Sequence, residues 1–120
     1  MPPVPQRVIV VDADRRIRAA LSEVLRVAGV EIVGTAGDVR GAAELVKMRD
    51  PDVMVLDPRL PDLAAGLALV SRLHMERPAL RMVLMGWSDD GVKADGASAF
   101  VAKSAPPEEF VAATLAACNC

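Results

Sequence analysis

Apolar and polar positions along this chain follow two alternating periods. Runs of adjacent apolar, β-branched residues read as buried strands, and segments with apolar residues every three or four positions read as amphipathic helices. The first run, Arg7 to Val11, ends at Asp12; behind it Ile17, Leu21, Val24, Leu25 and Ala28 hold helical spacing until Gly29. Glu31 to Ala36 reads as a second strand, and Asp38 as the N-cap of a helix with Val39, Ala42, Ala43, Val46 and Met48 on its apolar face, stopped by Asp50-Pro51. Val53 to Leu56 lies between Pro51 and Pro58 and runs straight into Asp57. Such a short run bounded by turn residues fits a strand buried on both faces, with Pro58 keeping Asp57 extended.

Leu67, Val70 and Leu73 form a further helical stripe up to Arg77-Pro78, and Arg81 to Met85 gives a fourth strand. The pattern then weakens. Between Gly86 and Phe100 the only candidate helix is bounded by Gly91 and Gly96, and one or two turns are less than an independent helix needs. The fourth helix is therefore expected to be shortened or missing. Ala99 to Ala102 reads as the fifth strand, ending at Lys103; Pro106 and Pro107 lead into a last helix with Glu108 and Glu109 in its first turn and an apolar body from Phe110 to Ala117. This alternation predicts an α/β fold: a five-stranded parallel sheet in the order 2-1-3-4-5 with helices on both faces, flavodoxin-like.

Composition narrows the reading. The 120 residues are expected to form one domain, residues 1 to 120, and are 52% hydrophobic but only 2% aromatic, so the core must be aliphatic side chains and methionine. A net charge of −2 gives no basic field for nucleic acid, so direct binding of DNA by this segment is not expected. No run reaches the length of a membrane span and the start lacks a signal-type apolar segment, so a cytoplasmic location is expected. Cys118 and Cys120 form a lone C-x-C with too few ligands for structural zinc, and His74, the single histidine, sits in a helical pattern with no partners for triad or metal-histidine chemistry.

What remains is a charged set: Asp12, Asp57 and Lys103 at the carboxyl ends of three strands. In the order 2-1-3-4-5 these ends converge on one crevice, where ligands bind in open α/β sheets. Two carboxylates there repel unless a cation intervenes, either a divalent metal or the lysine ammonium; Mg²⁺ suits few carboxylates plus a phosphoryl oxygen.

At these residues the chain resembles the receiver domain of bacterial two-component response regulators. RVIVVDADRRIR is similar to that family's first strand and acidic cluster, PDVMVLDPRLPD to its phosphoacceptor strand, and GASAFVAKSAPPEEF to its fifth strand, lysine and last helix. The resemblance implies that Asp57 takes a phosphoryl group from a histidine kinase. It also implies that Asp12, Asp57 and the backbone carbonyl of Arg59 hold Mg²⁺, that Lys103 pairs with phosphoryl oxygens, and that Phe100 stands at the family's rotamer-switching aromatic position. No enzymatic activity beyond self-phosphorylation and dephosphorylation is expected.

Two positions depart from the family. Ala13 replaces the second acid of the usual pair, which predicts weak Mg²⁺ binding, while Asp14 is expected to cap the first helix. Gly86 replaces the Ser or Thr at the end of strand four, with the bulkier Trp87 beside it, which predicts atypical switching. A second reading, a pseudo-receiver, keeps the fold with Asp57 and Lys103 as a structural ion pair and Phe100 as core, and acts by protein contacts alone. In either case a homodimer or an output domain is expected to use the face from strand four to the final helix, the fifth helix in the family's count. The D-x-D after the first strand also fits haloacid-dehalogenase-like phosphatases, but that fold needs a larger core domain and further motifs.

Overall fold

The computed structural model describes residues 6–87 and 96–118, the last of these in its backbone only. Five strands, β1 (Arg7–Val11), β2 (Glu31–Ala36), β3 (Val53–Leu56), β4 (Arg81–Gly86) and β5 (Ala97–Ala102), pair in parallel in the order β2-β1-β3-β4-β5. Among the described residues four helices, α1 (Arg15–Val27), α2 (Val39–Arg49), α3 (Leu63–Glu76) and α4 (Pro107–Cys118), follow β1, β2, β3 and β5. This is the expected flavodoxin-like arrangement. The segment expected to carry the shortened or missing fourth helix, 88–95, lies outside the described residues, as do Cys120 and the side chain of Cys118.

The strands hold together because each central one is apolar on both faces. Ile9 and Val11 of β1 pack with Met54, Leu56, Met82 and Leu84 under α2 and α3. Val8 and Val10 pack with Val53, Val55, Val83 and Met85 under α1 and α4, where Leu21, Leu25 and Phe110 complete the layer. Alternate side chains of one strand therefore feed two cores, which is why these runs are continuously hydrophobic. Methionine fills gaps that a nearly aromatic-free chain would otherwise leave.

Local chemistry sets the helix starts. Asp14 accepts the Arg16 amide at 2.8 Å and Asp38 accepts the Gly41 amide at 2.7 Å, so both expected N-caps are in place. Asp62 caps α3 in the same way, accepting from Ala65 at 2.9 Å, and the helix begins at Leu63, ahead of the apolar stripe that marks it in the sequence. β5 begins at Ala97, two residues before the expected Ala99, because a register shift between Met82 and Val83 of β4 absorbs one extra residue and lets pairing start earlier. No described helix is long and apolar enough to cross a membrane.

Candidate functional site

Strand register places the charged residues side by side. Val11 pairs with Leu56, Leu56 with Leu84, and Gly86 with Ala102, so the next residue of each strand emerges at the same sheet edge. The ladder extends one bond past each strand: the amides of Asp12, Asp57 and Lys103 donate to the carbonyls of Ala36, Val11 and Gly86 at 3.1, 3.0 and 2.8 Å. Backbone position at all three residues is thus fixed by sheet hydrogen bonds, not by a loop.

Their side chains meet. Nζ of Lys103 lies 2.5 Å from Oδ2 of Asp12 and 2.5 Å from Oδ2 of Asp57, with its side chain only 5% exposed. Toward Asp57 the contact is an aligned hydrogen bond. Toward Asp12 it is an ion pair only: Oδ2 of Asp12 is buried and has no hydrogen-bond partner among the described residues. We regard the hold on Asp12 as one of charge, since alignment and not distance separates the two contacts. Burial disfavours the Lys103 ammonium, but the two carboxylates beside it, Asp12 and Asp57, outweigh that and raise its pKa above the usual 10.5. On the outer side, Nζ stands 5.7 Å from the centre of the exposed Trp87 ring, within cation-π range.

Each carboxylate is also held through its other oxygen. Oδ1 of Asp12 accepts the Asp14 amide at 2.8 Å, and Oδ1 of Asp57 accepts the Arg59 amide at 3.0 Å. Nη1 of Arg59 is 3.9 Å from the same Asp57 oxygen. The site thus gathers two carboxylates with an ammonium and a guanidinium, four charges that cancel. Asp14 adds none to the crevice, because its carboxylate caps α1.

Three contributors went unread in the sequence. Gly66 of α3 abuts the loop after Asp57: a Cβ there would fall 1.5 Å from the carbonyl oxygen of Pro58, so only glycine admits this approach. A glycine inside a helical pattern, otherwise a cost, was the available signal. Arg18 donates from Nη1 to the Asp12 carbonyl at 2.7 Å and ties α1 to the end of β1. The stacking of Lys103 on Trp87 carries no sequence signature.

At Gly86 the space a side chain would take is bordered by Nη1 of Arg59 at 3.1 Å and the Phe100 ring at 3.5 Å. Phe100 is half-buried and packs against the core under α2 and α3. His74 is exposed near the end of α3, away from the charged set. A groove of about 490 Å³ between α2 and α3, lined by Glu44, Lys47, Arg72 and Glu76, takes in none of the charged set.

Whether the crevice suits Mg²⁺ turns on its oxygens. The buried Oδ2 of Asp12, without a hydrogen-bond partner among the described residues, is the kind of atom a hard cation satisfies, and Asp57 stands across the same ammonium. No group of three or more His, Cys, Asp and Glu able to hold a metal occurs among the described residues. Two carboxylates with water and a phosphoryl oxygen are nevertheless an ordinary Mg²⁺ set, so the residues fit the ion with one acid fewer than the family's pattern.

Comparison with known proteins agrees with this geometry. The family model described as "Response regulator receiver domain" matches residues 8–115. Transcriptional regulatory protein PdtaR of Mycobacterium tuberculosis is 35% identical over 104 residues, covering 83% of this chain and 50% of the relative, so the chain spans about half the length of that curated relative. The receiver domain of the response regulator NarL from Mycobacterium tuberculosis superposes with a TM-score of 0.84 at 28% identity, covering 97% of this chain and 98% of that one. For the response regulator domain of Thermotoga maritima CheB the TM-score is 0.83 at 23% identity, with 98% of each chain covered. The chain belongs to the response regulator receiver domain family.

Proposed function

From its membership of the receiver family, we propose that this chain accepts a phosphoryl group on Asp57 from a histidine kinase and relays the signal by protein contacts. The observation that carries the reading is the meeting of Asp12, Asp57 and Lys103 at the carboxyl edge of the sheet, with Nζ 2.5 Å from both carboxylates. An oxygen of Asp57 attacks phosphorus, the N–P bond of the donor phosphohistidine breaks, and its electron pair stays on the imidazole. Lys103 then turns from Asp57 to the phosphoryl oxygens, whose charge it offsets. Mg²⁺, when bound, supplies further neutralisation; Asp12, Asp57 and the Arg59 carbonyl would hold it, weakly because Ala13 offers no carboxylate. Hydrolysis of the acyl phosphate ends the signal, and we assign the chain no other catalysis.

The same features support a cytoplasmic setting, where a kinase's phosphohistidine is accessible, and no direct contact with nucleic acid. We place the output contact, a second copy or an output domain, on the face formed by β4, β5 and α4. Ala112, Leu115 and Ala116 are exposed on α4 beyond its core stripe, and Leu115 lines a groove with Val24 and Val27 of α1, so the contact takes in that edge as well.

A second reading, a pseudo-receiver signalling without phosphate, is favoured by Ala13 and Gly86, which remove a metal ligand and the hydroxyl that grips a phosphoryl oxygen. Incubation with Mg²⁺ and a small phosphodonor, followed by intact mass measurement, separates the two. We expect one added phosphoryl group that is absent from Asp57→Asn and retained by Asp14→Asn. No adduct on the parent chain, or one surviving Asp57→Asn, would overturn the phosphoacceptor reading.

A further inference from the structure

We propose that the Arg59 side chain is the phosphoryl clamp on the β4 side of this site, taking the place that the missing side chain at Gly86 leaves open. The inference deepens the phosphoacceptor reading and rests on it. Its basis is a juxtaposition of three distances. Nη1 of Arg59 lies 3.9 Å from Oδ1 of Asp57, and the same nitrogen stands 3.1 Å from the point where a Cβ on Gly86 would begin, with the Phe100 ring closing the space at 3.5 Å. A guanidinium therefore borders the volume into which a serine or threonine at position 86 would project.

Its position relative to Asp57 is fixed at the other end by the backbone. The Arg59 amide donates to Oδ1 of Asp57 at 3.0 Å, so the loop carrying the guanidinium is tied to the acceptor itself. At 3.9 Å the guanidinium is beyond hydrogen-bond reach of the bare carboxylate. A phosphoryl group on Asp57 extends past the carboxylate and carries more negative charge, so its oxygens come within reach of Nη1 on one side and of Lys103 on the other. Planar guanidinium suits phosphate oxygens better than a lone ammonium does, because two N–H groups can bind in parallel. An arginine also supplies positive charge that a hydroxyl lacks, offsetting part of what the absent acid at Ala13 fails to recruit as metal.

Beryllium trifluoride with Mg²⁺, a phosphoryl analogue that binds an aspartate, is the probe; fluorescence of Trp87, the only tryptophan, is the readout. Arg59→Ala is expected to weaken analogue binding about tenfold, the scale of one charge-assisted hydrogen bond. Gly86→Thr added to Arg59→Ala should recover most of that loss by restoring a hydroxyl. In the parent background Gly86→Thr should gain little, since its side chain meets Arg59. A merely structural role for Arg59 predicts instead a lowered urea midpoint with no rescue by Gly86→Thr. Equal affinity of Arg59→Ala and the parent, or loss without rescue, overturns the clamp while leaving Asp57 as acceptor. A parent chain that takes up neither the analogue nor a phosphoryl group overturns both.

Discussion

One sheet edge carries two regions built on opposite principles. At the ends of β1, β3 and β5, Asp12, Asp57 and Lys103 are set by ladder hydrogen bonds and drawn together at 2.5 Å. At the end of β4, Gly86 presents no side chain, and its surroundings are filled from elsewhere, by Arg59 and Phe100. The first region has fixed charges where the proposed phosphoryl transfer would develop charge. On the proposed reading, the second lacks a hydroxyl through which a bound phosphoryl could pull the following loop. Accepting a phosphoryl group and reporting it thus have separable structural requirements. A ligand shifts a conformation only by binding its two states differently, and on the proposed reading Gly86 removes one source of that difference.

The sharpest way to break the comparison is to remove its central cation. Lys103→Met leaves two buried carboxylates facing each other and is expected to cost about 3 kcal/mol or more in urea unfolding, part of it restored by added Mg²⁺. A loss below about 1 kcal/mol, unaffected by Mg²⁺, would mean that the charged region is not held by Lys103.

Next in size is a contrast between two glycines. Gly66→Ala would drive a Cβ to 1.5 Å from the Pro58 carbonyl oxygen, and we expect it to cost about 3 kcal/mol and to slow phosphoryl uptake by shifting the loop behind Asp57. Among the described residues the atoms nearest to a Cβ at Gly86 are the end of Arg59 and the Phe100 ring, at 3.1 and 3.5 Å, and Gly86→Ala is expected to stay within about 1 kcal/mol of the parent. Similar losses at both positions would erase the distinction between a region walled by backbone and one bordered by side-chain ends that can give way.

The pH dependence follows from Lys103. Its pKa is raised above 10.5 in the folded chain, so its contribution is complete below the unfolded value and disappears as pH rises through the folded one. Urea midpoints should therefore show a loss above about pH 10.5 that Lys103→Met does not share. An identical alkaline decline in the variant would remove the assignment. A smaller effect is expected at the metal: Ala13→Asp should tighten Mg²⁺ binding about tenfold by restoring a carboxylate, and calorimetry showing no gain would mean that residue 13 does not face the ion.

The sequence carried the fold wherever one period dominated. Continuous apolar runs ending in Asp12, Asp57 and Lys103 disclosed both the parallel sheet and the charged edge, because strands buried on two faces cannot hide a charge except at their ends. Features that depend on contacts between distant segments were not legible. Nothing local to Gly66 reveals that Pro58 lies against it, and nothing in Trp87 reveals the ammonium beneath its ring. The start of β5 was missed because a register shift with β4 decides it, and the start of α3 because Asp62 precedes the apolar stripe by several residues. Gly86 was legible as a missing hydroxyl, but not as a space bordered by Arg59.

The separation of acceptance from reporting is tested most directly by sedimentation velocity on the full chain with and without Mg²⁺ and beryllium trifluoride, with loading verified by Trp87 fluorescence. The account predicts that the loaded and unloaded chains associate to the same extent through the β4 to α4 face. A chain that is monomeric when free and dimeric only when loaded would contradict it, since switching would then survive without a hydroxyl at position 86.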